Sequence, residues 1–244
     1  MMKTKQLPPN KTEDKSPTIP QRNKIKTTLS IHQRELNEKQ KEFLEIALNK
    51  DTKIIFVSGP AGTRKTYMSV YAALTLLNQR KMSDLIYIRS AVESSDTKIG
   101  FLPGEAEDKM SPYLVPLLDK LSELLPKNDI EFLKKDERIS SIPVGFLRGL
   151  HLNAKIIIAD EAQNMTKKEI ITLITRTGEF SKVFVIGDPE QSDINGKSGF
   201  IKIMSYFDDI ESKNNGIRIF TFTDDDIVRS GIVQFIIKKI KKMI

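Results

Sequence analysis

Five short runs of apolar residues punctuate the chain: Lys53-Ile54-Ile55-Phe56-Val57, Leu85-Ile86-Tyr87-Ile88, Lys155-Ile156-Ile157-Ile158-Ala159, Lys182-Val183-Phe184-Val185-Ile186 and Ile217-Arg218-Ile219-Phe220. A strand with one wet face alternates apolar with polar residues. Near-continuous runs of this length instead suit a parallel sheet covered on both faces. Helical spacing fills the intervals: Gln33 to Asn49, where Leu36, Gln40, Phe43, Leu44, Ala47 and Leu48 recur on one side, then Tyr67 to Gln79, and Lys167 to Thr175. Strand alternating with helix predicts an α/β fold, a doubly wound parallel sheet forming a single domain. The stretch from Gly100 to Gly149 carries five prolines and a helical segment near Tyr113 to Leu125, and reads as an inserted loop and helix over the sheet edge.

A length of 244 residues with 39% hydrophobic content supports one medium-sized core with tails. No run of eighteen apolar residues occurs, and the start meets Pro and Lys rather than an apolar signal core, so the expectation is a cytoplasmic protein that is neither secreted nor in a membrane. The absence of Cys excludes disulfides, thiol catalysis and thiolate zinc sites, and two histidines, His32 and His151, are too few for a His-rich metal centre. Any divalent metal must come with carboxylates or a nucleotide.

The formal charge of +7 is concentrated at the ends. Residues 1–30 hold seven Lys/Arg against Glu13 and Asp14, and the last ten residues hold four Lys and no acid, leaving the middle slightly acidic. Pro8, Pro9, Pro17 and Pro20, with few large apolar groups, give residues 1–30 the composition of a flexible basic tail. Such a tail reads equally as a solubilising segment and as an arm for nucleic-acid phosphates.

Directly after the first apolar run comes Gly59-Pro60-Ala61-Gly62-Thr63-Arg64-Lys65-Thr66, and directly after that a helical pattern. This is the strand–loop–helix setting of the phosphate-binding loop G-x-x-x-x-G-K-[ST], with Arg64 where the second glycine belongs. In such a loop the backbone N–H groups surround the phosphates, Lys65 reaches the β and γ oxygens and Thr66 takes Mg²⁺. A glycine at position 64 is required if φ is positive there; at a helical entry an Arg can be accommodated. Its charge opposes the helix dipole when the site is empty and favours a bound polyphosphate. The third apolar run ends in Asp160-Glu161: Asp160 suits the Mg²⁺ shell, and Glu161 suits orientation or deprotonation of a water. The fourth ends in Gly187-Asp188-Pro189-Glu190-Gln191, where Gln191 could sense a γ-phosphate, or the segment could be a plain turn. Ligands of open α/β sheets bind beyond the carboxyl ends of the strands, where these three segments belong.

In this order the motifs LNEKQ, VSGPAGTRKTYM, IRSAVE, KIGFLPGEAEDKMSPYLVPLLD, FLRGLHLNAKIIIADEAQN, TLITRTGEFSKVFVIGDPEQSDI and DDDIVRSGIVQ resemble the PhoH family, P-loop ATPases related to the first RecA-like domain of superfamily-one helicases. The resemblance runs from about Leu36 to Gln234, and departs from the family at Arg64 and at Ser230-Gly231, where His-Pro is usual. It implies a single RecA-like P-loop NTPase domain over 31–244, with ATP and Mg²⁺ as cofactors. By the same resemblance Gln40, beside Asn37, looks like an adenine reader, although on sequence alone it could be an ordinary helix-surface residue. Arg229 resembles a charge-stabilising arginine and Arg176 is a second candidate; either could equally be a surface ion-pair partner. Arg89 and Arg148 resemble positions facing nucleic acid or the nucleotide rim. The family further implies RNA or single-stranded nucleic acid as partner. Because the length accommodates one lobe where related helicases use two, a homo-oligomer, a hexameric ring by resemblance, is expected.

Overall fold

A computed structural model describes residues 25–90, 106–194, 196–228 and 239. Its elements are α1 (Glu38–Leu48), β1 (Ile54–Ser58), α2 (Lys65–Asn78), β2 (Asp84–Arg89), α3 (Ala106–Leu124), α4 (Lys127–Lys135) and β3 (Ile139–Pro143). They continue as β4 (Lys155–Asp160), α5 (Lys167–Thr175), β5 (Lys182–Gly187), α6 (Phe200–Tyr206), α7 (Ile210–Asn214) and β6 (Ile217–Thr221). All strand pairs are parallel, in the order β3-β2-β4-β5-β1-β6.

Alternate residues of the continuous runs serve opposite faces. Ile55, Val57, Leu85, Tyr87, Ile156, Ile158, Phe184 and Ile186 pack into one core with α1, α2 and α3. Phe56, Ile86, Ile88, Ile157, Ala159, Val183 and Val185 form the other with α5 and α6. Both faces are dry, which is why no polar alternation marks these strands. Helix starts are written locally. Asn37 and Gln40 form a capping box at α1, and Thr166 and Glu169 form one at α5.

Two expectations need adjustment. The 100–149 stretch contributes more than an insertion, because Ile139–Pro143 joins the sheet as the edge strand β3, in register with Leu85–Arg89. The packed part of the chain also begins before residue 31. Ile25 and Leu29 are buried, and the Asn78 side chain exchanges two hydrogen bonds with the Leu29 backbone, at 2.8 and 2.9 Å. Residues 1–24, the rest of the expected tail, lie outside the described residues.

At the amino edge of the sheet a buried charged clamp joins three strands. Asp84 on β2 pairs with Lys155 on β4 and, at 3.3 Å, with Arg138 immediately before β3; their side chains are 8%, 2% and 9% exposed. No helix among the described residues is long and apolar enough to cross a membrane.

Candidate nucleotide site

The opposite, carboxyl edge is where β1, β4 and β5 end, and there the chain forms a cavity of about 440 Å³. The loop after β1 supplies Ala61, Gly62 and Arg64, and α2 supplies Lys65, Thr66 and Tyr67. The ends of β4 and β5 supply Asp160, Glu161, Gly187, Asp188 and Gln191, and Val228 closes one side. The α3 residues Lys120 and Glu123 also line it, so part of the stretch read as an insertion is a wall of the site.

The loop geometry follows from its glycines. Gly59 has φ +149, and a Cβ there would lie 2.7 Å from the Phe222 carbonyl oxygen, so no larger residue fits this turn. The Gly62 carbonyl accepts from Val228 N at 3.0 Å, and Thr63 Oγ1 donates to the Pro60 carbonyl at 3.0 Å. Lys65 folds over the loop and donates to the Gly59 and Pro60 carbonyls at 2.7 and 2.8 Å. Arg64 is the N-cap of α2 at φ 64, ψ 27, in the left-handed region. The second glycine of the pattern therefore corresponds to a position with positive φ, and here an arginine occupies it. Its guanidinium lies 5.8 Å from the Tyr67 ring centroid, and that of Arg34 lies 5.9 Å from the same ring. Burial pushes the Tyr67 phenol above its ordinary pKa, and the two arginines oppose this.

Asp160 and Thr66 meet directly: Thr66 Oγ1 donates to the Asp160 carboxylate at 3.0 Å. Burial raises the Asp160 pKa, the nearby Glu161 adds to the rise, and hydrogen bonds from Tyr87 and Thr66 counter it. Glu161 adopts φ 54, a strained setting for an acid, and turns the chain sharply off the end of β4. Arg89 stands 3.8 Å from its carboxylate.

Sequence reasoning missed the linker of this site, Gln163. This side chain is 1% exposed; its amide donates to Glu161 Oε2 at 2.5 Å and to the Gln191 carbonyl at 3.3 Å, and its Oε1 accepts from Asp188 N at 3.0 Å. Asp188 in turn accepts from the Ala61 and Glu190 backbones, and burial raises its pKa against those bonds. The phosphate-type loop, the acid pair and the Gln191 turn are thus joined by hydrogen bonds. The signal was present as the fourth residue of Asp160-Glu161-Ala162-Gln163, but its partners come from another strand.

Two candidates lie elsewhere. Arg176 caps the far end of α5, beside the residues that lead into β4 and β5, and does not line the cavity. Gln40 uses Oε1 in the α1 capping box, accepting from Asn37 N at 3.3 Å, while its buried Nε2 has no partner among the described residues. Arg229 lies outside the described residues.

The profile of PhoH-like proteins matches residues 32–241. The chain belongs to the PhoH family. Among its PhoH relatives, the PhoH-like protein of Mycobacterium tuberculosis is 36% identical over 200 residues, covering 81% of this chain and 55% of the relative. The PhoH-like protein of Bacillus subtilis is 35% identical over 205 residues, covering 83% and 62%. Protein PhoH of Escherichia coli is 31% identical over 202 residues, covering 81% and 55%. The chain therefore spans little more than half the length of these PhoH relatives. PhoH domains are of the P-loop nucleotide-binding type, consistent with the parallel sheet and the loop found here.

Proposed function

We propose that this PhoH protein is a Mg²⁺-dependent ATPase whose turnover is coupled to RNA or another single-stranded nucleic acid. The observation that carries the reading is the convergence of Lys65, Thr66, Asp160, Glu161 and Gln191 on one cavity at the carboxyl edge of the sheet. The residues suit the group. Thr66 and Asp160 meet at the cavity and offer oxygen ligands only, and Lys65 brings a cation to the same lining. Mg²⁺ is usually held by one or two protein oxygens together with phosphates and water, and Thr66 and Asp160 supply two such oxygens side by side.

In this mechanism the loop amides and Lys65 would bind the β- and γ-phosphates, and Thr66 and Asp160 would hold the metal. When bound, Mg²⁺ neutralises charge on the phosphate oxygens. Glu161, fixed by Gln163 and Arg89, orients the attacking water and takes its proton, while Gln191 reports the γ-phosphate position. The test is steady-state ATP hydrolysis with Mg²⁺, with and without single-stranded RNA or DNA. Activity that nucleic acid stimulates and Lys65→Ala abolishes is the expected result; equal phosphate release by the wild type and Lys65→Ala refutes it.

One observation favours a second reading, a nucleotide-binding regulator with slow turnover: Arg64 occupies the left-handed setting that the pattern gives to glycine. Hydrolysis absent in the wild type and restored by Arg64→Gly would select it. Arg176 sits away from the cavity of its own chain, which favours a charge-stabilising arginine from a neighbouring copy and hence a ring-type homo-oligomer. A monomeric mass by light scattering at micromolar protein with ATP would remove that element.

A further inference from the structure

Asp160 accepts hydrogen bonds from three donors of different origin. Thr66 belongs to the phosphate-loop helix, and the Glu161 N–H, at 3.0 Å from Oδ1, belongs to the turn that follows β4. The third is Tyr87, whose phenol donates to Asp160 Oδ2 at 2.5 Å, within the range of short, charge-assisted O–H···O⁻ bonds. Tyr87 is different in kind from the other two. It sits in the middle of β2, is fully buried, and pairs in register with Ile158, so its ring and Asp160 share one sheet face two residues apart. The phenol is therefore anchored by the core and not by the loop.

We propose that Tyr87 is a positioning residue for the metal site: its phenol fixes the Asp160 carboxylate in the orientation needed for a divalent cation, independently of whether the phosphate loop is occupied. The physical reason is that a buried carboxylate can rotate about its last torsion unless both oxygens are held. Thr66 bridges both oxygens, at 3.0 and 3.2 Å, from the first turn of the loop helix, and the Glu161 N–H holds only Oδ1. Tyr87 holds Oδ2 from a buried strand that is paired on both sides. Nothing in the nucleotide cavity involves Tyr87 itself, which is not part of its lining. The inference rests on the ATPase reading only in taking Asp160 as a metal ligand.

The test compares wild type with Tyr87→Phe, which keeps the ring and removes the oxygen. Manganese binding is measured by electron paramagnetic resonance in the presence of a non-hydrolysable ATP analogue, and metal-free binding of a fluorescent ATP analogue is measured in chelator. Loss of an outer-shell partner weakens metal binding by about 10–100-fold, so Mn²⁺ affinity should fall that far while metal-free nucleotide affinity stays within about twofold. Mn²⁺ affinity within about threefold of wild type, or tighter, overturns the proposal. A parallel loss of metal-free nucleotide binding also overturns it, because that outcome marks a general packing defect. Wild-type protein that binds no Mn²⁺ with the nucleotide overturns the ATPase reading and this inference together. Should Tyr87→Phe fail to fold, the wild type carrying ¹³C at the Cζ of its five tyrosines supplies the answer. The Tyr87 signal, assigned by substituting the other four in turn with Phe, should shift when Mg²⁺ is added to the nucleotide complex; an unmoved signal overturns the proposal.

Discussion

Arg64 offers a direct measurement of how much strain the loop stores. Its backbone lies at φ 64, ψ 27, and no side-chain hydrogen bond caps the helix from this position. An L-residue in the left-handed region costs about 1–2 kcal/mol relative to its right-handed setting. Glycine escapes that cost but gives up about 0.5–1 kcal/mol through the greater freedom of its unfolded chain. Arg64→Gly alone would mix these effects with loss of the guanidinium contact on Tyr67, worth about 0.5–1 kcal/mol at an exposed site. Arg64→Ala removes the same contact, so the difference between the two variants isolates the backbone. Arg64→Gly should be the more stable by about 0.5–1 kcal/mol, or about 1–4 °C in melting temperature for a chain of this size. Urea titration and thermal melts without nucleotide read the difference. An alanine variant as stable as the glycine variant, or more so, would refute the left-handed strain and with it the account of why the pattern asks for glycine.

Asp84→Ala should destabilise the fold by about 3–5 kcal/mol, because it leaves Lys155 buried without its carboxylate and strips Arg138 of one acidic partner, Asp136 at 2.6 Å remaining. In urea titrations the double variant Asp84→Leu/Lys155→Met should recover most of that loss. Lys182 donates to the Ala47 and Asn49 carbonyls, and burial, aided by Lys81, lowers its pKa to about 8 from an ordinary 10.5. Between these values the unfolded state binds more protons, so this residue's contribution to stability rises with pH across the window. Wild-type stability should accordingly gain on Lys182→Met as pH rises from 8 to 10.5, and a constant difference in melting temperature would contradict it. Gln163→Ala should lower turnover by about 10–100-fold with nucleotide affinity little changed, since one hydrogen bond to a charged group is worth about 1.5–3 kcal/mol. Equal losses in affinity and turnover would show that Gln163 supports the loop and not the acid.

The strands that proved legible were those whose two faces are both dry. Ile156, Ile157 and Ile158 can have only one kind of neighbour, so the run identifies itself. β3 hid because it is an edge strand of five residues, Ile-Ser-Ser-Ile-Pro, whose burial alternates and whose serines and proline read as loop. The same distinction holds in the site. Lys65, Thr66, Asp160 and Glu161 announce themselves because strand, loop and acid are contiguous in sequence. Tyr87 and Gln163 act through partners on other strands, and that depends on register, which no local pattern states. Arg176 fails to reach the cavity for a geometric reason. It ends a helix of nine residues that starts near the carboxyl edge and carries the chain about 13 Å away from it.

The place of β5 between β1 and β4 decides where this protein can tolerate change in length. Its register with β1, Val57 opposite Ile186 and Ser58 opposite Gly187, presents Asp188 to the loop on one side and to Gln163 on the other. A one-residue insertion within β5 would turn every following side chain to the opposite face and cut both connections in a single event. Insertions in surface turns cost only the slow growth of loop entropy. The six residues from Lys182 to Gly187 are therefore a stretch where an insertion or deletion is felt directly at the site, whereas turns at the periphery absorb a change of length cheaply.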